Sequence, residues 1–340
     1  MLRFVRPLLF AWGLVLYAQD AGMVLRTSVT YNTQKATLTL TDEQRQKADQ
    51  LGRDALQASQ ARKYGEAMRD YYQGLAVMRN LPWTPAFEVA SSLQGRLDHA
   101  IVEPGNPVTV TLSPLYGIDR AAGIKMSASL VLVPAKKEGA SEKSLGASLA
   151  VDPAALPFTT RVSLPDAPVG DYTLEVRLAA DGEASAGAAR AAFVKALPMH
   201  LEALSDDVAR LRNRLAKASK KSGSALPTAE YALALYERAD TGEISPARVN
   251  LRDEFAAANA ILDALEAGRD PFATRRGDLR KAYRSAADNT LQPYRLFIPE
   301  QYDAAKPSPL VVALHGMGGD ESSMFDQYSG TMKREAARVG

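Results

Sequence analysis

The sequence predicts a multidomain α+β protein: an N-terminal helical hairpin, a β-sandwich, a helical bundle and the opening of an α/β unit. Three observations predict it. Apolar residues recur at helical spacing on both sides of a central stretch in which they alternate with polar ones. Clusters of Pro, Gly and Asp mark the changes from one pattern to the other. Near the C-terminus, Leu310-Val-Val-Ala-Leu314 runs without a polar residue into His315-Gly-Met-Gly-Gly319, and a helical segment follows. The length agrees, since 340 residues exceed one ordinary small domain. The 46% of hydrophobic residues is enough for several cores.

The N-terminus has the pattern of a secretory signal peptide over residues 1–18. Arg3 and Arg6 are its positive region, Leu8 to Tyr17 its apolar run, and Ala18 a small residue for cleavage. Leu16 breaks the Ala-x-Ala rule, which leaves the cleavage position open. The apolar run is short for a bilayer. The expectation is export, to the periplasm or the extracellular space, with no stable membrane span after cleavage. Of 41 basic side chains, Arg3 and Arg6 leave with the leader, and the remaining 39 balance 39 acidic ones. No basic stripe points to nucleic acid. The absence of cysteine excludes disulfides, thiolate metal sites and a lipoprotein anchor. His99, His200 and His315 are too scattered for a metal site, so neither metal nor cofactor is expected.

Residues 41–100 read as a helical hairpin. Thr41-Asp42 can cap a first helix, with Glu43 and Gln44 in its first turn. Ala48, Leu51, Ala55 and Leu56 share a face of it. Lys63-Tyr64-Gly65 breaks it, and a second helix from near Glu66 carries Ala67, Met68, Tyr71, Leu75 and Met78. Residues 105–198 alternate. Met126, Ala128, Leu130 and Leu132 form one row; Tyr172, Leu174, Val176 and Leu178 form another. Pro168-Val-Gly-Asp-Tyr-Thr-Leu174 resembles the end of immunoglobulin-like or fibronectin-like modules, which implies an immunoglobulin-like β-sandwich. Residues 199–287 return to helix as a bundle or spacer. Leu201, Leu204, Val208, Leu211 and Leu215 form one apolar seam, and Leu251, Phe255, Ala258, Leu262 and Leu265 another. From Leu291, alternation predicts a strand ending at Pro299. Leu310 to Leu314 predicts a strand buried on both faces. Ser322 to Val339 predicts a helix weakened at Ser329-Gly330.

Tyr294-Arg-Leu-Phe-Ile-Pro-Glu-Gln-Tyr-Asp303 together with Pro309-Leu-Val-Val-Ala-Leu-His-Gly-Met-Gly-Gly319 resembles the opening of a secreted esterase of the α/β-hydrolase superfamily. The similar groups are polyhydroxybutyrate-depolymerase-like and feruloyl-esterase-like enzymes and the related prolyl-oligopeptidase-type catalytic domains. The resemblance covers residues 291–340. It implies that Gly316, Met317 and Gly318 form an oxyanion-hole loop, with the Met317 amide as a donor. It implies that His315 braces that loop and is not the catalytic base. Such a site would hold the negative oxygen of an acyl-transfer intermediate on backbone N–H groups. It implies an ester of unknown identity as substrate and serine chemistry. Yet no Gly-x-Ser-x-Gly occurs in the chain, and no acid and histidine follow it. The expectation is therefore the truncated start of an α/β-hydrolase domain, catalytically incomplete as it stands. The other reading is a periplasmic binding or scaffold protein with a vestigial hydrolase segment. The oligomeric state is left open.

Overall fold

A computed structural model describes residues 21–118, 123–135, 141–180, 189–218, 224–316 and 319–339. The predicted signal segment, residues 1–18, lies outside them. The chain is a mixed α+β protein. Among the described residues, no helix is long and apolar enough to cross a membrane.

Three helices make the N-terminal unit: α1 (Ala21–Thr37), α2 (Asp42–Gln60) and α3 (Tyr64–Met78). Helix α2 starts at a capping box, in which Thr41 Oγ1 accepts from Gln44 N and Gln44 Oε1 accepts from Thr41 N. Its turn into α3 uses Arg62 in the left-handed region, at φ 59°. Helix α3 starts at Tyr64, two residues ahead of Glu66. The hairpin expected over 41–100 is thus enlarged by α1. That helix has little apolar signal: only Val24 and Tyr31 are buried in it. Its threonines satisfy themselves, Thr27 and Thr30 donating to carbonyls one turn back. Tyr31 is the centre of the unit. It is 1% exposed, packs on Tyr71 at 5.1 Å and donates to the Ala48 carbonyl. Gly74 makes room for it, since a Cβ there would lie 2.5 Å from the Tyr31 ring.

Helix α4 (Pro85–Ser92), capped by Thr84 on Phe87 N, leads into two sheets with one core between them. Strands β1 (Leu93–Leu97), β2 (Ile101–Val102), β3 (Pro107–Pro114), β4 (Met126–Pro134), β5 (Lys143–Ser144), β6 (Leu149–Val151), β7 (Phe158–Ser163), β8 (Gly170–Ala180) and β9 (Val194–Leu201) build them, with a short α5 (Arg190–Phe193) before β9. One sheet has the order β1-β3-β7. The other has the order β2-β9-β8-β4-β5, with β6 also on β4. Only β2 and β9 run parallel among these pairs. The alternating rows predicted for β4 and β8 face this core: Ala128, Leu130 and Leu132, and Leu174, Val176 and Leu178, are all at most 3% exposed. Each leucine and valine of these rows contributes roughly 1.5–3 kcal/mol by leaving water.

The boundaries differ from 105–198. The sheets begin at Leu93, inside the stretch read as helical, and end at Leu201. Leu201 fits both the strand row Leu197-Met199-Leu201 and the helical seam Leu201-Leu204-Val208. The strand prevails because β9 pairs β8 there, Gly170 opposite Leu201.

Helices α6 (Ser205–Ala218), α7 (Leu226–Asp240) and α8 (Leu251–Glu266) then bury the two seams against each other. The helical region does not reach residue 287. Strand β10 (Gly277–Arg284) pairs antiparallel with β11 (Leu291–Ile298). Leu279 and Ala282, the two buried residues of β10, point to opposite faces, so no alternation betrays the strand. Ala282 packs on Tyr231 and Leu235 of α7. The chain closes with α9 (Ser323–Asp326), a turn at Gly330 with φ 75°, and α10 (Thr331–Val339).

The expected buried strand at Leu310–Leu314 does not form. Leu310, Val311, Val312 and Leu314 are 72–84% exposed. Among the described residues, no hydrogen bond engages the backbone of Leu310–Leu314. The segment has strand composition without a neighbouring ladder, and a strand needs one.

Candidate functional site

The C-terminal turn is held from three directions. Pro307 and Pro309 keep the residues before them extended. The apolar segment then enters the turn, where Gly319 N donates to Gly316 O at 3.0 Å and His315 Nδ1 donates to the same carbonyl at 2.9 Å. Gly319 is required by space: a Cβ would lie 2.9 Å from Ser323 Oγ and 3.0 Å from His315 Cβ. Asp320 N donates to Ser323 Oγ at 2.9 Å, and Asp320 Oδ1 accepts from Ser322 N at 3.0 Å. Two amides of the turn, those of Gly319 and Asp320, are therefore engaged inside it. Met317 and Gly318 lie outside the described residues. Gly316 and His315 are exposed. Helix α9 spans four residues, too short to bring a helix dipole to the turn.

A charged network joins the turn's far side to the hairpin. Arg295 of β11 is 14% exposed. It donates from Nε and Nη2 to Asp278 of β10, and from Nη1 to Ser322 Oγ at 3.0 Å and Asp326 Oδ2 at 3.1 Å. Its guanidinium lies 5.3 Å from the centre of the Phe325 ring. Lys333 of α10 completes the set, 2.9 Å from Asp278 and 3.3 Å from Asp326. Burial works to raise the Asp278 carboxyl, but the hydrogen bonds from Arg295 and Lys333 outweigh it and hold it below the usual carboxylate range. Arg280 adds a second brace, to Glu254 of α8 at 2.5 Å and to Glu321 at 3.4 Å. In the sequence Arg280 reads as part of a solvated basic face, and Glu321 as a helix-start residue. Arg295 reads only as a strand position that alternates, with Phe297, against Tyr294, Leu296 and Ile298. None of these partners is visible from spacing.

The other two histidines sit at the junction of sheets and bundle. His99 Nδ1 meets Asp240 Oδ2 at 2.7 Å, and Asp240 Oδ1 accepts from Ile101 N at 3.1 Å. The hydrogen bond to Asp240 raises the His99 pKa against the effect of burial. His200 lies between Asp171 at 2.7 Å and Glu202 at 3.1 Å, and Glu202 also holds Arg252. A cleft of about 310 Å³ opens beside them, lined by His99, Glu103, Glu202, Ser205 and Tyr236 among others. Within it Ser205 donates to Glu103, while His99 and Glu202 are tied to Asp240 and to His200 and Arg252 outside it. Among the described residues, no group of three or more His, Asp or Glu side chains is placed to hold a metal ion.

Taken together, these elements define a mixed α+β protein whose last forty residues are an exposed apolar segment, a self-braced glycine turn and two short helices pinned to a β-hairpin. No family model matches the chain, and no curated protein matches it. Among solved structures it is similar to a superoxide reductase (neelaredoxin) from Ignicoccus hospitalis. That similarity has 15% identity and a TM-score of 0.22, over 35% of this chain and 86% of the other. A score that low carries no argument about fold or activity.

Proposed function

We propose that this chain is the N-terminal part of an exported serine carboxylic-ester hydrolase. Residues 291–340 open its α/β-hydrolase domain, and His315-Gly316-Met317-Gly318 is its oxyanion-hole loop. The two sheets between Leu93 and Leu201 serve as an immunoglobulin-like accessory module. The serine, the acid and the histidine of the reaction come from outside residues 1–340.

One observation carries this reading: the exposure of Leu310–Leu314. Four large aliphatic side chains stand 72–84% in water, on a backbone without hydrogen-bond partners among the described residues. The exposed aliphatic surface costs free energy, while the backbone is free to pair with a neighbouring strand. That cost is removed when the segment becomes the inner strand of a parallel sheet, covered on both faces. The turn that follows such a strand then lies at its C-terminal end, where α/β sheets bind their ligands. There the Met317 amide would stabilise the oxyanion, a contribution of about 2.7–4 kcal/mol in a dry site. His315, by donating to the Gly316 carbonyl, would hold the loop's shape.

The coding sequence beyond codon 340 tests the proposal. The expected outcome is a continuing frame with a Gly-x-Ser-x-Gly segment. The 340-residue chain should hydrolyse p-nitrophenyl acetate no faster than its Met317→Pro variant. A frame that closes without that segment would favour a binding or scaffold protein.

A further inference from the structure

The two faces of the β10–β11 hairpin treat their charges differently. On one face Asp278, Arg280 and Arg284 share a row with Ala282, and Arg295 stands opposite Arg280. Each cation of that face meets a carboxylate. Arg280 meets Glu254 and Glu321, Arg284 meets Glu230 at 2.5 Å, and Arg295 meets Asp278 and Asp326. The other face carries Lys281 and Tyr283, with Tyr294 opposite Lys281. Here the cations meet aromatic rings. Lys281 Nζ lies 4.3 Å from the centre of the Phe272 ring, and the Arg275 guanidinium lies 5.8 Å from the same centre. At the open end of the hairpin the Arg276 guanidinium lies 5.5 Å from the centre of the Tyr302 ring. Tyr283 and Tyr294 extend the row, their ring centres 6.1 Å apart.

A ring attracts a cation without cancelling its charge. Two cations on the Phe272 ring therefore repel each other, and an anion beside them offsets that repulsion. The acids of the same stretch are turned to other partners. Asp278 is held by Arg295 and Lys333, Asp303 by Lys306, and Asp270 accepts from the Phe272 amide. The surface is open to water: Arg275 is exposed, Arg276, Lys281 and Phe272 are half-buried, and Tyr302 and Tyr283 are 37% and 54% exposed. Its cations are spread out. None of the three lines the cleft bounded by Leu130, Leu145 and Val162, or the cleft at the junction of sheets and bundle. A plane of anionic headgroups meets separated cations together, and it receives rings that keep one side wet.

We propose that this face of the hairpin docks on an anionic phospholipid surface. Arg275, Arg276 and Lys281 meet the headgroup phosphates, while Phe272, Tyr302 and Tyr283 lie at headgroup level. The contact is peripheral and crosses nothing. It is independent of the hydrolase reading, and its test needs no esterase activity.

Co-sedimentation of the full chain with two kinds of vesicle tests it: phosphatidylcholine alone, and phosphatidylcholine with an equal amount of phosphatidylglycerol. The readout is the difference between them, so binding through apolar segments, which both vesicles share, cancels. Each cation near an anionic surface contributes about fivefold in partitioning, so the three together contribute about 100-fold. The anionic vesicles should bind far better than the neutral ones. Replacing Arg275, Arg276 and Lys281 by alanine should remove that preference. The same charge change at Arg45, Lys47 and Arg53, exposed on α2, should cost less than about threefold, because these charges act only through screened distance. Equal binding to both vesicles would overturn the proposal, as would a preference that survives the hairpin substitutions or falls equally with those on α2. Competition by heparin as strong as that by anionic vesicles of equal charge would also overturn it, because the surface would then be a general polyanion site. Should the hairpin variant fail to fold, salt decides in the unaltered chain: a preference that persists at about 1 M salt does not come from these charges.

Discussion

Replacing Arg295 by methionine should loosen the C-terminal segment from the rest of the molecule. The side chain is 14% exposed and engages Asp278, Ser322 and Asp326 while lying over Phe325. An exposed pair contributes about 0.2–1 kcal/mol. Breaking a fully buried one costs about 3–5 kcal/mol. Asp278 is 26% exposed and keeps Lys333, so the loss falls between these, at about 2 kcal/mol. The network joins β10 and β11 to α9 and α10, so the loss is local. Amide exchange in α10 should accelerate roughly 30-fold, at 1.4 kcal/mol per factor of ten. Exchange in β8 should not change. Asp278→Asn should have a similar effect, and the double variant should lose less than the sum. Because the Asp278 carboxyl is held low, its stabilisation is fully present above about pH 4 and is lost as pH falls through the lowered value. Acid should therefore release α10 in the unaltered chain, and have less effect in Asp278→Asn. Protection of α10 within threefold of the unaltered chain in Arg295→Met would refute the reasoning.

Three further outcomes follow from local geometry. Gly74→Ala would stabilise an ordinary helix by about 0.5–1 kcal/mol, but here the new Cβ would sit 2.5 Å from the Tyr31 ring, so a net loss of about 1–3 kcal/mol is expected in urea unfolding. A gain in stability would contradict the packing described. The raised His99 pKa makes its tie to Asp240 fully present below about pH 6.5 and lost as pH rises through the folded value. The difference between the unaltered chain and His99→Ala should therefore shrink from pH 6 to pH 8.5, and it should stay under about 1 kcal/mol because the side chain is 65% exposed. A difference that grows with pH would show the sign to be wrong. Val312→Lys, at a site 72% exposed, should change stability by less than about 0.5 kcal/mol while reducing self-association in sedimentation. A loss of several kcal/mol would place Val312 in a packed strand.

What the sequence discloses is set by how local the cause is. Helices α2, α6 and α8 and strands β4 and β8 each repeat their buried residues at one period, and that period is written in the chain. The capping box of Thr41 and Gln44 is equally local. Helix α1 is illegible because its burial rests on Val24 and on Tyr31, seven residues apart, the tyrosine received against Gly52 and Gly74 of the next two helices. Strand β1 is five residues with an internal glycine, and it exists because β3 pairs with it across its whole length. Strand β10 buries two residues on opposite faces. The site divides the same way. The turn at Gly316–Gly319 follows from its glycines, but the partners of Arg295 lie 17 and 31 residues away, and those of His99 lie 141 residues away. Leu310–Leu314 shows the limit of composition. Its residues suit a buried strand, yet the described chain provides no ladder to receive it.

Labelling the protein as its source cells make it tests the central claim most directly. A fluorophosphonate probe reacts with activated serines, and capture with an antibody against residues 93–201 isolates the polypeptide for peptide mapping. The account predicts one labelled serine, on a Gly-x-Ser-x-Gly turn C-terminal to Gly340 of the same polypeptide. A captured polypeptide that ends at Gly340, or that stays unlabelled while other serine hydrolases of the same lysate are labelled, would contradict it.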